Sequence, residues 1–182
     1  MYEAAEDSFL LEEEIIAFCK DKVITKSLDM GTGSGIQANT LCKFSKEVYA
    51  VDINKESKEK IGKKIKFIHS DLFKKVKEKD FDLIVFNPPY LPDGEEKADP
   101  ELTGGKQGVE LTLKFLKQAK KHLKEDGTIL FIASSHANLD LLEKKAGKEY
   151  YLERIRELPL FFEKLYVYKA TLEKKVLDKV KE

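Results

Sequence analysis

The chain has no apolar run approaching the ~20 residues that a membrane helix needs, which excludes a helical transmembrane span. It opens Met1-Tyr2-Glu3-Ala4-Ala5-Glu6-Asp7, acidic and without the apolar stretch of a secretory leader, so a cytoplasmic protein is expected. Net charge is missing too, because 33 basic and 33 acidic side chains cancel. A broad electrostatic grip on nucleic acid needs a net positive surface, and the balance disfavours it. A local basic patch stays open, since lysine far outnumbers the only two arginines, Arg154 and Arg156. Asn and Gln are few beside Lys and Glu, a thermophile-like usage. Only two cysteines occur, Cys19 and Cys42, and neither has a CxxC partner. Both fall in helical patterns and read as core thiols of a reducing compartment, not as metal ligands or a disulfide. His69, His122 and His136 show no metal-ligand spacing; His136 alone falls near a strand end facing the expected crevice. No repeat, low-complexity tract or linker divides the 182 residues, so one domain spanning 1–182 is expected.

What is present is alternation. Helical periodicity over 8–20, with Asp7 or Ser8 as N-cap, precedes a short strand ending at 27–30. A glycine loop, 31–35, leads into a helix over 36–44. Strands follow at 47–53, 66–70, 81–86 and 128–133, with helices at 55–61, 108–123 and 139–145. Repeated strand–helix units predict an α/β fold with a doubly wound, mostly parallel sheet. Strands at 150–158 and 164–172 are separated too briefly for a parallel crossover, so they predict a C-terminal antiparallel hairpin. The charged end, 173–182, reads as a solvated helix or frayed tail.

The most informative stretch is Asn87-Pro88-Pro89-Tyr90, directly after Phe81–Phe86, whose apolar β-formers suit a strand buried on both faces. Pro88 and Pro89 carry no N–H, so the strand end offers carbonyl oxygens with few competing donors. Asn87 adds a side-chain carbonyl and Tyr90 a flat ring. Such a corner can accept both hydrogens of a planar –NH₂ and stack on its face, which points to chemistry on nitrogen. A plain Pro-Pro turn ending a strand is the other reading.

Asp29-Met30-Gly31-Thr32-Gly33-Ser34-Gly35 lies between strand and helix, where backbone N–H groups can approach a ligand, or where a turn merely packs helix on strand. The dinucleotide pattern fails, because Ile36 stands where its third glycine belongs. Asp29 beside the loop would repel a pyrophosphate and attract a cation. The ammonium and sulfonium of S-adenosylmethionine fit that sign; NAD does not. Asp52 closes the next strand, placed either to accept two ribose hydroxyls or to open the turn 52–54. Asp71 either accepts from an adenine amino group or caps a helix. If the first and fourth strands are neighbours, loop 29–35 and turn 87–90 face one crevice. The long segment 91–105, with Pro92, Gly94, Pro100 and clustered acids, reads as a mobile lid over the substrate, with plain disorder as the other account.

These residues resemble class I S-adenosylmethionine-dependent methyltransferases with a Rossmann-like seven-stranded sheet. More narrowly, they resemble the HemK-related glutamine methyltransferases of the archaeal and eukaryotic branch, which modify the GGQ loop of translation release factors. Tyr2–Leu11 looks like that branch's opening, 28–35 like its cofactor loop and Val51–Asn54 like its ribose strand end. Ser70–Leu72 looks like its adenine-side turn, Asn87–Tyr90 like its substrate motif, and Gly104–Gly108 like its glycine stretch. Ala4 departs from the usual proline, and the helical substrate domain of bacterial members has no counterpart before the opening motif. The resemblance implies that Ser8, Asp29, Gly31, Gly33, Asp52, Asp71, Leu72 and Asn87 bind S-adenosylmethionine. It implies that Asn87, Pro88 and Tyr90 hold the substrate amide, that no metal takes part, and that a small zinc-binding activator protein is a partner. A DNA or RNA methyltransferase acting on an exocyclic amine is the chief alternative, although it needs a basic face to grip phosphates. A non-catalytic cofactor-binding module is a third reading.

Overall fold

The computed structural model describes residues 6–93 and 103–173. One sheet of seven strands runs through them: β1 (Ile24–Met30), β2 (Ser45–Asp52), β3 (Lys66–His69), β4 (Phe81–Phe86), β5 (Leu123–Ser134), β6 (Tyr150–Pro159) and β7 (Lys164–Leu172). Their order is β3-β2-β1-β4-β5-β7-β6. The first five are parallel, and β7 runs antiparallel between β5 and β6. The expected doubly wound sheet with an antiparallel C-terminal hairpin is therefore what the chain forms.

Strand periodicity explains the layering. Along β4, Ile84 and Phe86 enter one core with Leu28, Met30, Ile129 and Phe131, while Leu83 and Val85 enter the other with Leu130 and Ile132. A strand covered on both faces must be apolar at nearly every position, which is why 81–86 reads as a continuous run. Its one acid, Asp82, stays at the strand's open end, accepting from the Thr25 and Lys26 N–H groups and pairing with Lys124. Helices α1 (Glu6–Cys19) and α2 (Ile36–Leu41) cover the second core through Leu10, Leu11, Ile15, Ala38 and Leu41. Helices α3 (Glu110–Ala119) and α4 (Leu139–Ala146) cover the first through Phe115, Leu116, Ala119 and Leu142.

Several elements differ from expectation for local reasons. The helix expected at 55–61 is a 3₁₀ turn, Lys55–Lys60, started by the Asn54 side chain accepting from the Glu56 N–H. Its Lys-Glu-Ser-Lys-Glu-Lys sequence has no apolar stripe to bury. Helix α2 stops at Leu41, after which Lys43 and Phe44 donate to carbonyls three residues back. Helix α3 starts late because Gly108 sits at φ 72°, outside helical geometry. Asp7 and Ser8 lie inside the first turn of α1, where Asp7 Oδ1 accepts from the Ser8 N–H. Cys42, expected in the core, is exposed at the end of α2; only Cys19 is buried. No helix among the described residues is long and apolar enough to cross a membrane.

Asp29 ends β1 and organises the loop after it. Its Oδ2 accepts from Thr32 Oγ1 at 2.6 Å and from the Ala38 N–H at 3.1 Å, joining strand, loop and helix through one carboxylate. Burial pushes its pKa up from 3.8 to about 7, against the pull of both hydrogen bonds, and the nearby Asp52 charge raises it further. The folded chain thus keeps a proton that the unfolded chain loses above pH 3.8, so this group withdraws stability as pH climbs toward 7. Asp29→Asn keeps an acceptor oxygen and cannot ionise. Between pH 5 and pH 8 the variant should gain on the parent by on the order of 2 kcal/mol in urea denaturation. An offset that does not change with pH would show that Asp29 holds no such proton.

Candidate functional site

At their carboxyl ends β1 and β4 lie side by side, Met30 opposite Phe86, with β2 leaving to one side and β5 to the other. This is the sheet's switch point, where flanking loops diverge and a crevice opens. A cavity of about 350 Å³ occupies it, within the ~300–1,000 Å³ common for small-molecule sites. Ser8, Gly31, Gly33, Asp52, Asp71, Leu72, Asn87, Pro88 and Tyr90 all line it, so loop 31–34 and turn 87–90 do share one crevice. Asp29 is the correction. It does not line the cavity, because its carboxylate is turned into the loop's own hydrogen bonds. His136 is exposed and is not among the lining residues either.

The loop approaches closely because Gly31 adopts φ 64° and has no Cβ; one placed there would sit 3.2 Å from the Phe86 ring. Asp52 opens the turn after β2 and also faces the cavity. Oδ2 accepts from the Gly33 N–H at 2.7 Å and Oδ1 from the Asn54 N–H at 2.8 Å, while the residue borders the cavity. Each carboxylate oxygen retains a lone pair for a ligand hydroxyl. Asp71 precedes a 3₁₀ turn (Leu72–Lys75), yet its side chain makes no cap. It pairs with Lys74 at 2.6 Å and Lys114 at 3.6 Å. The Lys74 hydrogen bond, helped by Lys114, holds its carboxyl below the usual range. Leu72 beside it has φ 47°, a left-handed conformation that costs a branched side chain energy and that persists where surrounding structure imposes it.

The opposite wall is the Asn87 corner. Asn87 Nδ2 donates to Ser8 Oγ at 3.3 Å, and Asn87 Oδ1 is buried with no hydrogen-bond partner among the described residues. Tyr90 donates its hydroxyl to Asp7 Oδ2 at 3.0 Å, and the other oxygen of that carboxylate accepts from the Ser8 N–H at 2.5 Å. The first turn of α1 therefore grips side chains on both sides of the proline pair. From α2, Gln37 Nε2 donates to the Ser8 carbonyl at 2.9 Å and braces that turn. Asp7 and Gln37 were not read from sequence as site residues. Asp7 stood there only as a helix cap, and Gln37 carries no local signal because its partner lies 29 positions away.

Gly104–Gly108 supports the corner from below. A Cβ on Gly108 would lie 2.4 Å from the Tyr90 carbonyl oxygen, and one on Gly104 2.6 Å from that of Pro89. The Gly104 N–H donates to the Leu91 carbonyl at 2.9 Å, and Leu91 bridges Thr103. These glycines let two backbones pack directly against each other. The lid expected over 91–105 falls largely outside the described residues.

The donor set fits S-adenosylmethionine. Asp52 suits paired ribose hydroxyls, Asp71 a purine amino group, and the uncovered backbone at Gly31 the close passage of the aminoacyl end. Against the geometry stand the relatives. The methyltransferase small domain family model matches residues 13–157. A putative protein N5-glutamine methyltransferase of Methanocaldococcus jannaschii is 35% identical, over 93% of this chain and 91% of its own length. The ribosomal protein uL3 glutamine methyltransferase of Xanthomonas campestris is 31% identical over 66% of this chain, and the release factor glutamine methyltransferase of Aquifex aeolicus 32% over 79%. The chain spans about half of those two bacterial relatives, 46% and 59% of their lengths. Among solved structures, the E. cuniculi Mtq2–Trm112 complex, responsible for methylation of the eRF1 termination factor, superposes with TM-score 0.78 over 94% of this chain and 98% of that one, at 22% identity. The chain belongs to the methyltransferase small domain family, among the S-adenosylmethionine-dependent enzymes that include these glutamine methyltransferases.

Proposed function

We propose that the protein methylates the side-chain amide nitrogen of a glutamine in a protein, namely the GGQ glutamine of a translation release factor. One observation carries this reading: Asn87 Oδ1, a buried acceptor with no partner among the described residues, stands beside a proline pair on the wall facing the proposed cofactor residues. Leaving such an oxygen unpaired costs about 1–3 kcal/mol, and a substrate N–H that fills the place recovers it. The relatives' names agree in acceptor, a protein glutamine.

Bound S-adenosylmethionine supplies a methyl group already activated by its sulfonium. The work left to the chain concerns the acceptor, since an amide nitrogen is a weak nucleophile whose lone pair is delocalised into the carbonyl. Asn87 Oδ1 and the Pro88 carbonyl each accept one amide hydrogen, orient the nitrogen toward the cofactor side and stabilise the positive charge that develops on it. Tyr90, held by Asp7, bounds the flat amide. The nitrogen releases one proton after transfer. Asp29 acts at a distance by keeping the loop in shape.

A small activator protein is part of the same proposal. The Mtq2 structure was solved with Trm112, and the sequence resemblance implies a zinc-binding partner of that kind.

Radiolabelled methyl transfer tests the substrate. With release factor, its GGQ→GGA variant, ribosomal protein uL3, bulk tRNA and DNA offered side by side, label should enter the release factor and vanish from the GGA variant. Label confined to uL3 or to nucleic acid would replace the substrate named here. Asn87→Ala should lower kcat at least ~100-fold, the scale of losing one pre-organised polar contact to the reacting group. Its thermal unfolding should match the parent; turnover within threefold of the parent refutes the role. Gly108→Ala should act differently, lowering both Tm and kcat, because the new methyl meets the Tyr90 carbonyl at a position whose φ already disfavours it. An unchanged Tm in that variant would show that the glycine stretch does not support the corner.

A further inference from the structure

Phe161 and Phe162 are the most exposed large apolar side chains among the described residues, 91% and 83% open to solvent. Their rings meet edge to face, centroids 4.6 Å apart, so they form one ridge. The ridge is presented rigidly. It sits in the tight turn between β6 and β7, closed by the Leu160 N–H donating to the Glu163 carbonyl at 2.7 Å. Three bonds pin this turn to the end of β5: Ser134 Oγ donates to Glu163 Oε2 at 2.6 Å, the Lys164 N–H to Ser135 Oγ at 2.9 Å, and the Ser135 N–H to the Lys164 carbonyl at 2.8 Å. Leu158 and Leu160 at its base pack against the same core layer as Tyr90.

Topology brings the ridge to the reacting end of the sheet. Strand β7 is antiparallel to β5, so its first residues lie at the carboxyl end of β5, with Leu165 opposite Ser134. Phe131 of β5 is level with Phe86, directly before Asn87. Two strand spacings sideways and three residues forward put the turn on the order of 15 Å from Asn87, at the same end of the sheet.

We propose that the Phe161–Phe162 ridge docks the protein substrate, taking an aliphatic patch on the folded body that carries the acceptor glutamine. This rests on the reading of the site as a glutamine methyltransferase. A single side-chain amide fills only the Asn87 corner, so holding its owner requires surface beyond the corner. The balanced charge of the chain supplies no long-range steering, which leaves apolar burial to do it, and solvent-exposed aromatic anchors dominate such contacts. Glu163 and Lys164 beside the ridge cancel, so it offers no basic grip on phosphates, which favours a protein occupant.

The test compares the parent with Phe161→Ser/Phe162→Ser and Phe161→Leu/Phe162→Leu, on intact release factor and on a short peptide spanning its GGQ loop. The serine pair should raise KM for the intact protein about 10- to 100-fold, leave kcat at saturation and cofactor affinity unchanged, and leave the peptide reaction as in the parent. The leucine pair should stay within about threefold of the parent. An unchanged KM for the intact protein overturns the proposal. So does an equal loss on peptide and protein, which makes the turn structural, or a parent dimer that the serine pair dissociates without altering KM. A ridge that instead binds single-stranded RNA, lost in the serine pair while KM holds, also overturns it. A parent that labels no release factor sinks the glutamine reading itself, whereas a parent that labels it with ridge variants behaving identically sinks only the docking surface.

Discussion

The pairing of β1 with β4 is the constraint from which the site follows. Those strands are separated by two others in sequence and become neighbours only because the chain, having laid β2 and β3 to one side, returns to the other. Met30 opposite Phe86 sets Gly31 and Asn87, the residues that follow, side by side. The two loops then line one cavity, and in the proposed reaction the first would hold the methyl donor and the second the acceptor nitrogen. Phe86 shows how tight the joint is, since a Cβ at position 31 would come within 3.2 Å of its ring. Rigid strands place both loops, so neither must find its position during the reaction.

Within that frame, carboxylates at the strand ends have separate duties despite similar placement. Asp29 is turned inward and keeps the loop in shape; Asp52 is shared between backbone and cavity; Asp71 is held charged by Lys74. Burial accounts for the difference. Desolvation dominates at Asp29 and favours its neutral form, whereas Lys74 dominates at the more open Asp71. With its carboxylate turned to Thr32 and Ala38 and its charged form disfavoured by burial, Asp29 attracts a cation less than the acids that border the cavity.

Much of this architecture was legible from the residues alone. Continuous apolar runs marked β4 and the core of β5, and the brevity of the 159–163 link forced an antiparallel hairpin. Asn87–Tyr90 announced a donor-poor corner because proline removes N–H groups wherever it stands. Long-range support was illegible. Nothing near position 7 states that its carboxylate will hold a tyrosine 83 positions on, and nothing near Gly108 names the carbonyl it must clear. The direction of Asp29 was misread for a related reason, because a sequence shows that an acid adjoins a loop and not whether Thr32 and Ala38 will turn it inward. The charged 55–60 segment and Cys42 differ for another reason: the first has no apolar stripe to bury as a helix, and the second lies just past the end of α2, where it is exposed.

Planar –NH₂ groups on a glutamine and on an adenine present similar faces, so the corner that activates nitrogen does not choose between them. Choice falls to surfaces around it, and these are unlike a nucleic-acid groove. The chain bears no net positive charge, acids lie at the strand ends beside the cavity, and the large hydrophobic side chains left most open at the reacting end are a rigidly held pair of phenylalanines. A polyanion gains little from that combination, because its binding depends on neutralised phosphates. A folded protein with one protruding glutamine gains on each count: its side chain fits the donor-poor corner, and its apolar surface meets the ridge. On this proposal, chemistry and selection occupy different places at one end of the sheet, the proline corner supplying reactivity toward a planar amine and the surroundings deciding which amine arrives.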